Sequence, residues 1–254
     1  MPPSSKATTG TRTRNIFDPH SKEPFKLSRS KLELFLQCAR CFYLDRRCGI
    51  GQPPGPPFIL NVAVDALMKR EFDQHRARGE PHELMTEYGI DAVPFQHPEL
   101  DQWRTNFHGV QALHRPTNFL FFGAVDDIWQ SPDGQLHVVD YKATSTQKEI
   151  SLDDPWKQAY KRQMEIYQWL LRSNGLPVSD LGYFVYVNGV SDHQHFGKKL
   201  EFTMQIIPYT GDASWVEEAL AEAHSCLCRD SAPAGAKTCE WCAYREAAQN
   251  VERS

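Results

Sequence analysis

The sequence predicts a mixed α/β fold, with a central mixed β-sheet flanked by helices. Three observations predict it. Residues 27–44 and 58–75 carry apolar side chains at helical spacing. Residues 118–141 then hold two β-branched and aromatic runs separated by a turn, the pattern of a hairpin. A long amphipathic helix follows and leads into two more strand-like runs, and this order of helix, strands, helix, strands gives a mixed sheet with helices on it.

The elements follow in order. Residues 1–26 are rich in Pro, Ser, Thr, Lys and Arg with few apolar groups, and are expected to form a flexible tail. One domain is expected over 27–248, with a short tail at 249–254. Ser28 and Ser30 offer a cap ahead of Leu32, Leu34, Phe35 and Leu36, and the helical pattern runs on to Leu44. The stretch 49–57 is dense in Pro and Gly and reads as a loop. Helical spacing returns over 58–75, where Leu60, Val64, Leu67, Met68 and Phe72 share a side, and again over 100–113. Strands are expected over 118–130 and 135–141, joined by the turn residues Ser131, Pro132, Asp133 and Gly134. Residues 155–174 form the long helix, with Tyr160, Met164, Tyr167 and Leu171 on one stripe. Strands at 181–187 and 199–208 and helices at 214–228 and 239–248 complete the chain, which shows no internal repeat.

Composition narrows the function classes. Hydrophobic residues make up 41% and charged residues 24%, the profile of a chain that can bury a core. No apolar run is long enough for a membrane span, and the N-terminal residues have no apolar stretch, so a cytoplasmic location is expected, with no membrane partner. The net charge of −4 and the pI near 6.2 exclude a global basic field. Any nucleic-acid contact must therefore be local, and acids gathered around a metal would pull the total down. Seven cysteines, without an export signal, favour metal or cluster ligation over disulfides wherever the spacing is paired.

The hairpin carries the chemistry. Asp126 lies late in its first strand, Asp140 at the end of its second, and Lys142 two residues further on, so Asp140 and Lys142 emerge on the same face. Two carboxylates brought together there form a hard oxygen site for a small divalent cation. A lysine beside them can orient or deprotonate an attacking water and stabilise developing phosphate charge. A D-x-K triplet alone arises by chance, and acids at strand ends are often solvated rim. Here both strands are too apolar for a surface ribbon, which sets the acids at the end of a buried hairpin.

Together these residues resemble the RecB-like branch of the PD-(D/E)XK nuclease superfamily, which includes CRISPR-associated and helicase-linked exonucleases. The resemblance spans about 28–245. Gly123 and Asp126 match a G-x-x-D motif, Asp140 and Lys142 the core D-x-K, and Gln163 and Tyr167, four apart on one helix face, a Q-x-x-x-Y motif. It implies a restriction-endonuclease-like core and a nuclease dependent on Mg2+ or Mn2+. Asp126 and Asp140 would hold the metal, Lys142 would act beside it, and Gln163 and Tyr167 would support the site. DNA is the implied substrate, with exonuclease or flap-type cutting in repair, recombination or defence, and a helicase or repair protein as partner. One departure stands out: where the family carries G-x-x-x-His, this chain has Asn61 through Asp65. Asp65 is either a third oxygen ligand or an ordinary polar residue. Lys69, Glu71 and Asp73 read as solvated, and Asp127 and Glu165 as acids with a supporting role or none.

Cys38 and Cys41, and Cys239 and Cys242, form two C-x-x-C pairs, the grammar of a four-thiolate site for zinc or an iron–sulfur cluster. The resemblance implies a 4Fe–4S cluster, zinc being the alternative, with one ligand from the helix ahead of the core and the others from the C-terminal tail. The tail's last cysteine is missing, so Cys41 or Cys228 supplies the fourth thiolate, and symmetry of spacing favours Cys41. Cys48 and Cys226 read as small buried hydrophobes. Candidate phosphate contacts are Arg40, Arg46, Arg47, Lys157, Lys161 and Arg162, and candidate stacking rings are Trp129, Trp156 and Tyr160; taken singly, each basic residue reads first as solvated surface and each ring first as core or rim packing. Two other functions stay open: a non-catalytic nucleic-acid-binding module on the same fold, and a metal or redox sensor built on the cysteines.

Overall fold

The computed structural model describes residues 11–53, 55 and 59–253, so residues 1–10 of the expected tail, and Phe58 at the start of an expected helix, lie outside it. The chain divides into two compact units. One comprises the described residues within 1–55, 113–121 and 217–254; the other comprises 59–112 and 122–216.

The first unit contains β1 (Phe25–Ser28), α1 (Arg29–Gln37) and α2 (Ala39–Arg46), and, from the far end of the chain, most of α7 (Val216–Leu227) and all of α8 (Glu240–Glu252). The single helix expected over 27–44 is thus two helices preceded by a strand. The break is at Cys38, which is extended (φ −160°, ψ 103°). Its N–H still donates to the Leu34 carbonyl, and its own carbonyl accepts from the Phe42 N–H, so Cys38 closes one helix and opens the next. Residues 11–26 are anchored to this unit: Phe17 is buried, edge-on to Phe25 at 5.3 Å and to Phe119 at 6.1 Å. Arg12 N–H donates to the Gly49 carbonyl, and the two backbones approach so closely that a Cβ on Gly49 (φ +74°) would lie 2.2 Å from the Arg12 carbonyl oxygen.

α5 (Leu100–Trp103) is all that forms of the helix expected over 100–113; β3 (Val110–His114) takes the rest of its place. The long strand expected over 118–130 is likewise divided. Its first half is β4 (Phe119–Gly123), in a three-stranded sheet of order β1-β4-β3, and its second half is β5 (Asp127–Gln130), in a five-stranded sheet.

That second sheet belongs to the second unit and runs β2 (Val93–Pro94), β5, β6 (Leu136–Thr144), β7 (Leu181–Gly189), β8 (Phe202–Thr210). The β5–β6 hairpin is antiparallel, turned by residues 131–134 with Gly134 at φ +85°. β6 and β7 are parallel, which requires a crossover, supplied by a 3-10 turn (Pro155–Lys157) and α6 (Gln158–Ser173). β7 and β8 are antiparallel, so the sheet is mixed, as expected.

Helices cover both faces. α3 (Ile59–Arg78) lays Val64, Met68 and Phe72 against Trp129, Val139, Tyr141 and Val185. The Phe72 ring stacks on Trp129 at 5.5 Å. α6 lies so close to β7 that a Cβ on Gly182 would meet Met164 Sδ at 2.6 Å. Alternation along β6 therefore turns Val139 and Tyr141 toward α3, and Asp140 and Lys142 toward α6. Among the described residues no helix is long and apolar enough to cross a membrane.

Phe72 is fully buried at the centre of the α3 contact. Phe72→Ala is expected to lower stability by about 3–5 kcal/mol, seen as a fall in the denaturant midpoint with an unchanged slope.

Candidate active site and thiolate centre

Hairpin register brings the first acids together. Asp127 pairs with Val139, so Asp126, just ahead of β5, lies beside the end of β6, where its Oδ2 accepts the Tyr141 N–H at 3.0 Å. Asp140 is fully buried and ion-paired with Lys142 two residues on. From α6, Gln163 Nε2 donates to Asp140 Oδ1 at 2.9 Å and to Tyr167 Oη at 3.0 Å, holding Asp140 in one orientation. From α3, Asp65 accepts from Lys69 Nζ at 2.9 Å, and the same ammonium reaches Asp126 Oδ1 at 3.4 Å.

These groups meet at a cavity of about 450 Å³ whose lining includes Asp65, Lys69, Arg104, Asp126, Lys142 and Tyr160. The Lys142 ammonium lies 4.5 Å above the Tyr160 ring. Asp140 is beneath Lys142 rather than on the wall. The carboxylates of Asp65 and Asp126 converge on one cation, the Lys69 ammonium, while Asp140 faces its own, Lys142. Among the described residues these three acids are not gathered around a single point as the four cysteines are.

Asp65 and Asp126 on the wall and Asp140 beneath it supply hard carboxylate oxygens, the donor type a small divalent cation takes, while the cations of the wall, Lys69, Lys142 and Arg104, are each ion-paired with carboxylates. Burial pulls the Lys142 pKa down, but the carboxylates of Asp140 and Asp126 outweigh it and hold it above the ordinary lysine value. Lys69 behaves alike, burial being outweighed by Asp126 and Asp65. Both lysines are therefore cations here.

Asp127 has a different task from its neighbour. It is fully buried, paired with Arg76 and, at 2.9 Å, with Arg104; it also accepts the Tyr141 hydroxyl at 2.6 Å and its own neighbour's N–H, from Ile128, at 2.8 Å. Asp73 bonds the same two arginines from the other side. Burial, reinforced by the Asp127 charge, raises the Tyr141 pKa well above its usual value, so the hydroxyl stays a donor. Because Tyr141 stands between Asp140 and Lys142, this ionic knot fixes the strand segment that carries them. Glu165 is also built in, accepting from Tyr209 Oη and, at 2.7 Å, from Trp215 Nε1.

Several sequence expectations need correction. Lys69, read as solvated, bridges two acids at the cavity, and Asp73 is bound by arginines; Glu71 is exposed, as read, though it meets His82. Arg104, unremarked in the sequence, joins the cavity to the Asp127 knot. Of the candidate phosphate contacts, Arg46 is buried against Asp45, and Lys157 is buried, donating to the Ser151 carbonyl and paired with Asp154. Arg47 donates to the Phe17 carbonyl. Trp129 is core, Trp156 is exposed, and Tyr160 faces the cavity.

In the first unit the four paired cysteines converge. Sγ···Sγ separations are 3.7 Å for Cys38–Cys242, 3.6 Å for Cys41–Cys239 and 3.8 Å for Cys41–Cys242. Burial opposes ionisation of Cys38, but the N–H groups of Ala236 and Cys41 and the neighbouring thiols outweigh it and hold its pKa at about 7. Cys228, the other candidate for the fourth thiolate, is exposed beside His224 instead. Cys226 is buried as expected, but Cys48 is exposed.

The sequence profile of the PD-(D/E)XK nuclease superfamily matches residues 26–247. The mixed α/β architecture is consistent with the restriction-endonuclease-like core of that superfamily. No curated protein matches the chain.

Removing one partner of a buried ion network leaves the others uncompensated, so Asp127→Ala is expected to destabilise the second unit by about 3–5 kcal/mol. Asp126→Ala, at the partly exposed cavity wall, is expected to change stability far less; chemical denaturation of the two variants side by side checks this.

Proposed function

The chain belongs to the PD-(D/E)XK nuclease superfamily, and from that premise we propose that it is a divalent-metal-dependent nuclease hydrolysing DNA phosphodiesters, as an exonuclease or flap-type enzyme in DNA repair, recombination or defence. The observation that carries this reading is the assembly of Asp126, Lys142 and, beneath it, Asp140 at one end of a cavity that also takes in Asp65, Lys69 and Tyr160.

In this reading Asp126 and Asp140 hold Mg2+ or Mn2+, with Asp65 as a third oxygen donor in the place where relatives in the family carry histidine. The cation, when bound, polarises the scissile phosphoryl group and lowers the pKa of water. The protein's own groups do the rest. Gln163, braced by Tyr167, keeps the Asp140 carboxylate from rotating. Lys142 donates toward the phosphoryl oxygens, offsetting the negative charge that grows as water attacks in line, and helps aim that water. The Asp127 knot keeps Tyr141, and with it both catalytic neighbours, in register. Tyr160, at the cavity wall, offers a ring to a base or sugar of the strand being cut. A helicase or repair protein would supply unwinding.

A second reading, a nucleic-acid-binding module without catalysis, is favoured by one feature: the Lys69 ammonium lies between Asp65 and Asp126 and already neutralises them.

One assay separates the two. Purified protein is incubated with labelled single- and double-stranded DNA and RNA in Mg2+, Mn2+ or EDTA. DNA cleavage that EDTA abolishes is expected, falling by about 100-fold or more in Asp140→Ala and Lys142→Ala, with circular dichroism unchanged. Binding without cutting supports the second reading. Undiminished cleavage by Lys142→Ala removes the lysine from the mechanism.

A further inference from the structure

Among the described residues, metal-ligating side chains gather most closely in two places: the four cysteines, and His75, His82 and Glu83. The histidine group is already spent. His82 Nδ1 accepts the Leu84 N–H as a helix cap, its Nε2 bonds Glu71 at 2.8 Å, and His75 Nδ1 bonds the Pro81 carbonyl. The cysteine group is not spent in this way, and its dimensions discriminate between occupants.

Four thiolates around one zinc ion, each about 2.3 Å from it in a tetrahedron, lie about 3.8 Å from one another. The separations of 3.6, 3.7 and 3.8 Å match that figure. A 4Fe–4S cubane binds each thiolate to a different iron and fills the space between them with eight atoms. Sulfurs in van der Waals contact leave no such space. The residues therefore do not fit the cluster that the resemblance to RecB-like nucleases implies, and we infer that Cys38, Cys41, Cys239 and Cys242 hold a single zinc ion.

The surrounding backbone is built for that compact site. Each C-x-x-C pair opens a helix in the same way. Cys38 and Cys239 are extended N-cap residues of α2 and α8, Cys41 and Cys242 stand at their third helical positions, and the capping carbonyls accept from Phe42 and Ala243. Two helix N-termini thus point at the sulfurs, where their partial positive charge favours the thiolate form. Ala236 N–H adds a donor to Cys38 Sγ at 3.5 Å. Gly235 passes so close that a Cβ there would lie 2.8 Å from Cys242 Sγ. Arg40, Lys237 and Arg245 line the adjoining cavity, placing positive charge near an anionic tetrathiolate.

The ion's role is to hold α8. That helix of 13 residues buries no side chain, and Trp241 and Tyr244 are exposed, so apolar packing does little to retain it. The thiolate centre fastens it to α2 instead.

The test is independent of any nuclease activity. The full chain is purified anaerobically from iron-supplemented cells, and zinc, iron and acid-labile sulfide are measured alongside the visible spectrum. We expect colourless protein with one zinc per chain, no sulfide, and no cluster formed on incubation with iron and sulfide. Replacing zinc with Co2+ should give the intense visible bands of a tetrahedral tetrathiolate. Removing zinc from the wild-type protein with a chelator should make the chain sensitive to trypsin at Lys237 and Arg245, and restoring zinc should reverse this. Cys228→Ser should keep the metal and Cys239→Ser should lose it. Brown protein carrying iron and sulfide in near-equal amounts overturns the inference, and so does protein with no metal; both readouts come from the wild-type chain and survive a variant that fails to fold.

Discussion

Burying a carboxylate is costly unless a cation or several donors meet it, and this chain buries two at the end of one hairpin. Asp127 and Asp140 have no exposure to water, and much of the second unit's polar architecture exists to satisfy them. Arg76, Arg104 and the Tyr141 hydroxyl meet the first; Lys142 and Gln163 meet the second. Because adjacent residues of an extended chain point to opposite sides, the step from Asp126 to Asp127 separates a carboxylate facing the cavity from one locked in the interior. The locked one holds Tyr141, and Tyr141 in turn donates its N–H to the one at the cavity. Site and scaffold are thus joined through Tyr141 of β6, alongside the link that Arg104 makes.

The first unit solves a different problem. Two segments distant in sequence, one carrying α1 and α2 and the other α8, meet there at the four clustered sulfurs rather than through buried side chains of α8. Four cysteines converge there at two helix N-termini, and the C-terminal helix, which buries no side chain, presents most of its surface to solvent.

Much of this was legible in the amino-acid order, and what was not has physical reasons. Period-two alternation is intrinsic to a strand, so Asp140 and Lys142 could be assigned a common face before any coordinates. The C-x-x-C spacing likewise selects Cys38, Cys41, Cys239 and Cys242 over Cys228. The break at Cys38 was hidden because the apolar spacing from Leu32 to Leu44 continues across it and no Gly or Pro marks it. The division of the strand at Ala124 to Asp126 was hidden because apolar residues dominate on both sides of it; Gly123 and the two acids are its only local mark, and two sheets share the run. Asp65 and Lys69 are spaced as an ordinary surface pair; only the tertiary approach of Asp126 turns Lys69 into part of a site. Arg104 lay in a segment whose helix and strand signals are both short, and its partners are distant in sequence.

The central claim is that the cavity acids form a cation site, and metal affinity tests it without reference to catalysis. Mn2+ binding, followed by calorimetry and by the resonance signal of the free ion, should be saturable in the wild-type protein and severely weakened in Asp126→Asn and Asp140→Asn, with zinc content unchanged. Equal Mn2+ affinity in folded wild type and both variants would contradict it.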